Sequence, residues 1–228
     1  MNILAFESSC DETSASVVER AADGSFTFTT LKFGPGHIGT HTYTIKEIIP
    51  AGAVDNKLNG YTYDPTVYTA TVTVVDDNQG HIVATSAITG AEAVVFNNRY
   101  DVSPAEVNLT GTKTYDKPLA GNDFTFTLKG EIDGVKVDQE KKNDKDGNIT
   151  FDTLTFTKEG TYEFTVKEMD QALGFINYAK ETYKVAVTVT DNGKGQLVAA
   201  VTVNDKADGK ITFTNKYQFV DAEDEITF

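Results

Sequence analysis

Runs of alternating apolar and polar residues appear twice along the chain in the same order. Residues 23–33 (DGSFTFTTLKF), 39–47 (GTHTYTIKE), 61–76 (YTYDPTVYTATVTVVD) and 96–100 (FNNRY) recur as 146–156 (DGNITFDTLTF), 160–168 (GTYEFTVKE), 176–191 (INYAKETYKVAVTVTD) and 213–217 (FTNKY). Alternation with a period of two, broken by Gly, Asn and Asp, predicts strands, and its repetition predicts tandem β domains. Helical periodicity is nowhere sustained.

In a strand, parity decides which face a residue occupies. Tyr162, Phe164 and Val166 share a face with Glu168, while Glu163, Thr165 and Lys167 face away. On the last strand Ile211, Phe213 and Tyr217 group with Asn215. Near the start of the second copy Val107, Leu109 and Tyr115 share parity with Lys113. One lysine, one glutamate and one asparagine therefore point inward. Lys and Glu are almost never fully buried unless paired, so the three are expected to meet. Parity alone is satisfied by a structural cluster, a buried Lys–Glu pair whose remaining hydrogen bonds an Asn completes.

The order of a lysine strand (LTGTKTYDKPLAGNDFTFTL), a glutamate strand (GTYEFTVKE), a long strand before a turn (YKVAVTVTDNGKGQL) and a closing FTNKY resembles the streptococcal pilin isopeptide-linkage domain. The resemblance covers residues 104–217 completely and 23–100 in part. It implies an all-β fold of two tandem immunoglobulin-like sandwiches from a Gram-positive pilin or surface adhesin. It also implies a spontaneous amide bond between Lys113 and Asn215, assisted by Glu168. The residue types suit that chemistry. Burial disfavours charge, lowering a Lys pKa and raising a Glu pKa by as much as about 3–5 units, so a neutral amine and a protonated carboxyl can coexist near neutrality. A neutral amine held against a carboxamide carbon can attack it while the acid shuttles protons and ammonia leaves. Each molecule reacts once, so this is self-modification and not enzyme turnover. The bond would close a loop of roughly 100 residues, which the chain-entropy model values at about 4–5 kcal/mol.

The first copy keeps Glu47, inward with Tyr43 and Ile45, and Asn98, inward with Val94, Phe96 and Tyr100. Its lysine strand and the FxFxL strand that follows are missing. No lysine precedes Lys32, and Lys32 corresponds to Thr155, so Glu47 and Asn98 are expected to be vestigial. In place of those strands stands MNILAFESSCDETSASVVE, similar to the amino terminus of the tRNA adenosine threonylcarbamoyltransferase family, whose nucleotide-phosphate turn Ser8, Ser9, Asp11 and Glu12 match. Nothing downstream continues that match, so a fused remnant is expected. Residues 2–7 could still insert as a substitute strand. The HxxxH pair of that enzyme family, His37 and His41 here, is expected to lie along a strand, where four residues span about 13 Å, too far for one ion.

Composition narrows the picture little further. The 228 residues suffice for two sandwiches, and a net charge of −14 argues against nucleic-acid or anionic-membrane binding. Cys10 is the only cysteine, which excludes an intrachain disulfide. NDKDGNITFDT echoes a calcium loop, but Lys142 and Thr153 occupy the outer ligand positions, and a hairpin turn is expected. Lys117 in TYDKP reads as a loop lysine. The amino terminus lacks the charge and apolar length of a signal peptide, and the last residues, AEDEITF, carry no sorting signal.

The expected organisation is an enzyme-like remnant at 1–19, a truncated sandwich at 20–101, a complete one at 102–218 and a linker or tail at 219–228. The expected function is a structural stalk module at the cell surface or cell wall. Its partners would be neighbouring domains or pilin subunits, with no cofactor, metal or nucleic acid and no membrane contact. The alternatives are a ligand-binding adhesin module, reading a host ligand through loops such as 50–60, and a fragment of the tRNA-modifying enzyme.

Overall fold

The structure, a computed structural model, describes residues 2–7, 15–19 and 21–219. It forms two compact units, 1–101 and 102–228, built from nineteen strands and one short 3-10 turn among the described residues.

Unit 2 is a two-layer sandwich. Its strands are β9 (Ala105–Val107), β10 (Thr110–Tyr115), β11 (Thr125–Ile132), β12 (Val135–Lys142), β13 (Asn148–Thr150), β14 (Leu154–Phe156), β15 (Gly160–Glu168), β16 (Ile176–Asn177), β17 (Thr182–Asp191), β18 (Leu197–Val203) and β19 (Thr212–Tyr217), numbered after the eight of unit 1 given below. One sheet runs β12-β11-β15-β17-β18; the other runs β13-β10-β19-β16, with the pair β14-β9 beside them in sequence. The inward residues of both layers meet in one core, with Leu128, Val166 and Val187 from one sheet against Ile149 and Phe213 from the other. Alternation is obeyed closely. Phe213 and Asn215 are buried while Thr212 and Thr214 are exposed, and Lys113 is buried between exposed Thr112 and Thr114.

The lysine strand is the centre of its sheet. β10 pairs with β13 on one side and runs parallel to β19 on the other, with Lys113 opposite Phe213 and Tyr115 opposite Asn215. At the Asp146–Gly147 turn the chain presses against it. Gly147 adopts a φ of 84°, its carbonyl accepts from Lys113 N at 2.7 Å, and an added Cβ would lie 2.3 Å from the Lys113 carbonyl oxygen. Only glycine fits there. This turn joins β12 to β13, which lie in opposite sheets, so it is a crossover and not the hairpin expected. Asp144 holds it by accepting from Asn148 Nδ2 and from the amides of Asn148 and Asp146, bonds that lower its pKa.

Unit 1 reproduces one layer and half of the other. Its strands are β1 (Asn2–Glu7), β2 (Ala15–Glu19), β3 (Gly39–Glu47), β4 (Lys57–Leu58), β5 (Tyr61–Thr62), β6 (Val67–Asp76), β7 (Ile82–Ile88) and β8 (Arg99–Tyr100). The sheet β2-β1-β3-β6-β7 has the order of β12-β11-β15-β17-β18. β1 therefore takes the place of the missing FxFxL strand, with Ile3 opposite Glu47 where unit 2 has Phe126 opposite Glu168. The substitution is possible because a backbone ladder needs only an extended neighbour of adequate length. Among the described residues nothing takes the place of β10. Residues 25–33 and 94–98, which parity reads as strands, are irregular. Without a strand between them they have no ladder to join.

The HIGTH segment also departs from expectation. Pro35–His37 forms a 3-10 turn, so the rings of His37 and His41 stand 6.3 Å apart and His41 Nε2 lies 2.7 Å from the His37 carbonyl oxygen. Pro35 presets the φ that such a turn requires.

Replacing Gly147 by Ala should push β10 away from β13 and lower the stability of unit 2 by at least about 1–3 kcal/mol in chemical denaturation. In hydrogen exchange, residues 25–33 and 94–98 should lose protection well before 148–156 and 211–217, because open backbone of low contact density exchanges first.

Candidate functional site

In unit 2, Lys113 from the middle of β10, Glu168 from the end of β15 and Asn215 from β19 meet in the core. The Lys113 and Glu168 side chains are fully buried, at 0% exposure each, and Asn215 is 1% exposed. Lys113 Nζ lies 2.8 Å from Glu168 Oε1 and 2.9 Å from Oε2. Asn215 Nδ2 donates to Glu168 Oε1 at 2.7 Å, and Asn215 Oδ1 accepts from the backbone N–H of Ala179 at 2.8 Å. One carboxylate thus bridges the two nitrogens, and each polar atom of the carboxamide is held from a different direction.

The surroundings are aromatic. Lys113 Nζ stands 4.4 Å from the Phe124 ring centroid and 5.9 Å from that of Phe126. Burial pushes the Lys113 pKa below the ordinary lysine value, against the opposing pull of Glu168. The direction matters chemically. A proton moving from Nζ to the carboxylate across 2.8 Å leaves a nucleophilic amine and a neutral acid. The acid would then be hydrogen-bonded to the nitrogen that has to depart. The Ala179 amide points at the oxygen that would gain negative charge on attack, as an oxyanion donor does.

Two parts of this arrangement escaped sequence reasoning. The Ala179 donor is a backbone group with no side-chain signature, as is its counterpart in the repeat, the Asp64 amide. Phe124 and Phe126 read simply as core residues of a strand.

Unit 1 holds the same half-site. Asn98 Nδ2 donates to Glu47 Oε1 at 2.7 Å, and Asn98 Oδ1 accepts from the Asp64 amide at 2.8 Å. Glu47 is buried, but Asn98 is exposed where Asn215 is not. Lys32 is exposed, in the irregular segment before the 3-10 turn. Ser8, Ser9, Cys10, Asp11 and Glu12 lie outside the described residues. Lys117 is exposed, with Nζ 4.7 Å from the Tyr217 ring centroid. Among the described residues there is no group of three or more His, Cys, Asp or Glu side chains able to hold a metal ion.

The sequence that carries these two units is matched twice by one family model. The Spy0128-like isopeptide-containing domain matches residues 5–101 and again 108–218. The chain belongs to that family. Its two matches follow the two units, and the first begins within β1. Among solved structures the chain is similar to the major pilin of Streptococcus pyogenes, at 16% identity with 96% of this chain and 92% of that one covered and a TM-score of 0.32. It is similar also to the T3.2 major pilin of S. pyogenes serotype GAS13637, at 14% identity, 96% and 90% coverage and a TM-score of 0.30. No curated protein sequence matches the chain.

Ala179→Pro removes the amide that holds Asn215 Oδ1. If that amide stabilises charge during attack, the variant should lose about 10²–10³ in the rate of any Lys113–Asn215 coupling after refolding, read by mass against time, with circular dichroism reporting the fold.

Proposed function

We propose that the chain is a structural stalk module of a Gram-positive cell-surface or pilus protein, whose second unit clamps itself with an amide bond between Lys113 and Asn215. The observation that carries this reading is the fully buried triad, in which Glu168 touches both the amine and the carboxamide nitrogen. A buried ion pair is by itself weak support for stability, since apolar residues often do as well. A buried lysine and a buried carboxamide that share one glutamate oxygen are better explained by a reaction.

Glu168 takes the proton from Lys113, the neutral Nζ adds to Cγ of Asn215, and the Ala179 amide supports the oxyanion. The acid returns that proton to Nδ2 and takes a second from the added Nζ, the C–Nδ2 bond breaks, and the departing ammonia carries the second proton away as ammonium. Glu168 ends as it began, and Lys113 and Asn215 are joined. The process needs no cofactor and happens once per molecule, which makes the chain a self-modifying structural protein. Membership of the isopeptide-containing family supports the reading, as does a net charge of −14, which suits solubility.

Neighbouring domains or subunits of the same surface structure are the partners this role implies, at the cell surface. No helix among the described residues is long and apolar enough to cross a membrane.

Intact-mass spectrometry tests the bond directly. The folded chain should weigh about 17 Da less than its sequence, one ammonia and not two, because only in unit 2 do a lysine and a carboxamide share a glutamate. Lys113→Ala, Asn215→Ala and Glu168→Ala should each restore the full mass and, by opening a loop of roughly 100 residues, cost several kcal/mol and bring protease sensitivity. Asn98→Ala should leave the deficit unchanged. An unmodified mass in the folded wild type would refute the amide and leave the sandwich standing.

A further inference from the structure

Among the described residues, unit 1 has the walls of a lysine-strand site without the strand. In unit 2, β10 is gripped on both sides, Lys113 N donating to Gly147 O at 2.7 Å and Thr112 N to Ile211 O at 2.9 Å. In the repeat, Gly24 corresponds to Gly147, Phe26 to Ile149, Val94 to Ile211, Phe96 to Phe213 and Asn98 to Asn215. These five counterparts line one open cleft of about 930 Å³. Phe26 and Phe96 are half-buried there, whereas Ile149 and Phe213, covered by β10, are 0% exposed.

The chemistry of the cleft repeats as well, up to one atom. Asn98 has the same two hydrogen bonds as Asn215, to a glutamate oxygen at 2.7 Å and from a backbone amide at 2.8 Å. The difference is the second carboxylate oxygen. Glu168 Oε2 takes a bond from Lys113 at 2.9 Å, while Glu47 Oε2 is buried with no hydrogen-bond partner among the described residues. A buried carboxylate oxygen without a donor is unfavourable and is relieved by an incoming amine. An apolar cleft flanked by unladdered backbone is relieved by an incoming strand.

We propose that unit 1 is the acceptor half of an interchain cross-link: it takes up an extended lysine-bearing segment of another polypeptide, patterned like residues 107–115, and joins that lysine to Asn98. The segment lies between 24–28 and 94–98, apolar residues inward, and brings its amine to Glu47. A proton passes from Nζ to Glu47, Nζ adds to Cγ of Asn98, and the Asp64 amide holds the oxygen. The proton returns to Nδ2, Glu47 takes a second from the added Nζ, the C–Nδ2 bond breaks, and the ammonia leaves with that second proton as ammonium, so the product is one amide linking two chains. This inference rests on the chemistry read at Lys113 and Asn215.

The test mixes the full chain with a synthetic peptide of residues 104–116 (PAEVNLTGTKTYD), which contains a single lysine. The expected product weighs the sum of chain and peptide less about 17 Da, with the peptide lysine mapped to Asn98. A peptide with norleucine for lysine should bind without coupling. Asn98→Ala should couple nothing, yet still gain hydrogen-exchange protection at 24–28 and 94–97 from the norleucine peptide, which shows that the variant folds. Glu47→Gln should slow coupling by about 10²–10⁴. Absence of an adduct with the wild-type chain, or an adduct persisting in Asn98→Ala, overturns the proposal. The mass of the chain before peptide is added separates the two claims. A deficit of one ammonia with no adduct defeats capture alone; no deficit defeats the reading beneath it.

Discussion

Burial of the Lys113 ammonium is the constraint on which the second unit is organised. An amine with no exposed side-chain surface requires a counter-charge and hydrogen-bond acceptors in the core, and Glu168 supplies both from the opposite sheet. The pair couples the two layers at one point. The carboxylate in turn needs a further donor, which Asn215 provides from the strand beside the lysine. Strand order follows from this demand: β10 and β19 must be neighbours, and β15 must end opposite them. Apolar packing of Phe126, Val166 and Phe213 builds the sandwich, whereas the polar triad specifies which strands face one another.

Comparison of the two units isolates what the lysine strand contributes. The five-stranded layer forms in both, since its strands pair with one another and β1 serves where β11 would. The opposite layer forms fully only where β10 is present. In unit 1 the residues on either side of the gap keep their apolar alternation and lose their regular structure, and the buried cluster shrinks to Tyr43, Ile45, Ala70, Val72 and Val74 with half-buried neighbours. The side chains of Glu47 and Asn98 still find each other, because Glu47 ends β3 in the surviving layer and Asn98 directly precedes β8, which pairs with β5.

Much of this was legible in the residues. Period-two parity put Lys113, Glu168 and Asn215 on inward faces, as well as Glu47 and Asn98, because a strand has only two faces and the apolar residues mark one of them. Parity failed where a strand depends on a neighbour. Residues 94–98 keep the inward Val94, Phe96 and Asn98 that match Ile211, Phe213 and Asn215, yet only the latter have a lysine strand to pair with. The insertion of β1 was hard to read because NILAFE alternates poorly; its pairing is dictated by the open edge of β3. The Ala179 and Asp64 amides were invisible because backbone groups have no letter of their own. The turn at His37 came from Pro35 and Gly36, local chemistry overriding the strand pattern of the repeat.

The parallel pairing of β10 with β19 has a mechanical meaning. A pull on the two ends of unit 2 enters through its first long strand and leaves through its last, and with an amide between Lys113 and Asn215 the load crosses from one to the other without passing through the polypeptide between them. The second unit then behaves as an inextensible link. Unit 1, in series with it and lacking that bridge, can pay out its roughly 80 residues after Ala21 to about 3.3–3.6 Å each once its sheet yields. One chain would thus join a stiff element to a fuse that lengthens by more than 200 Å before any covalent bond is strained.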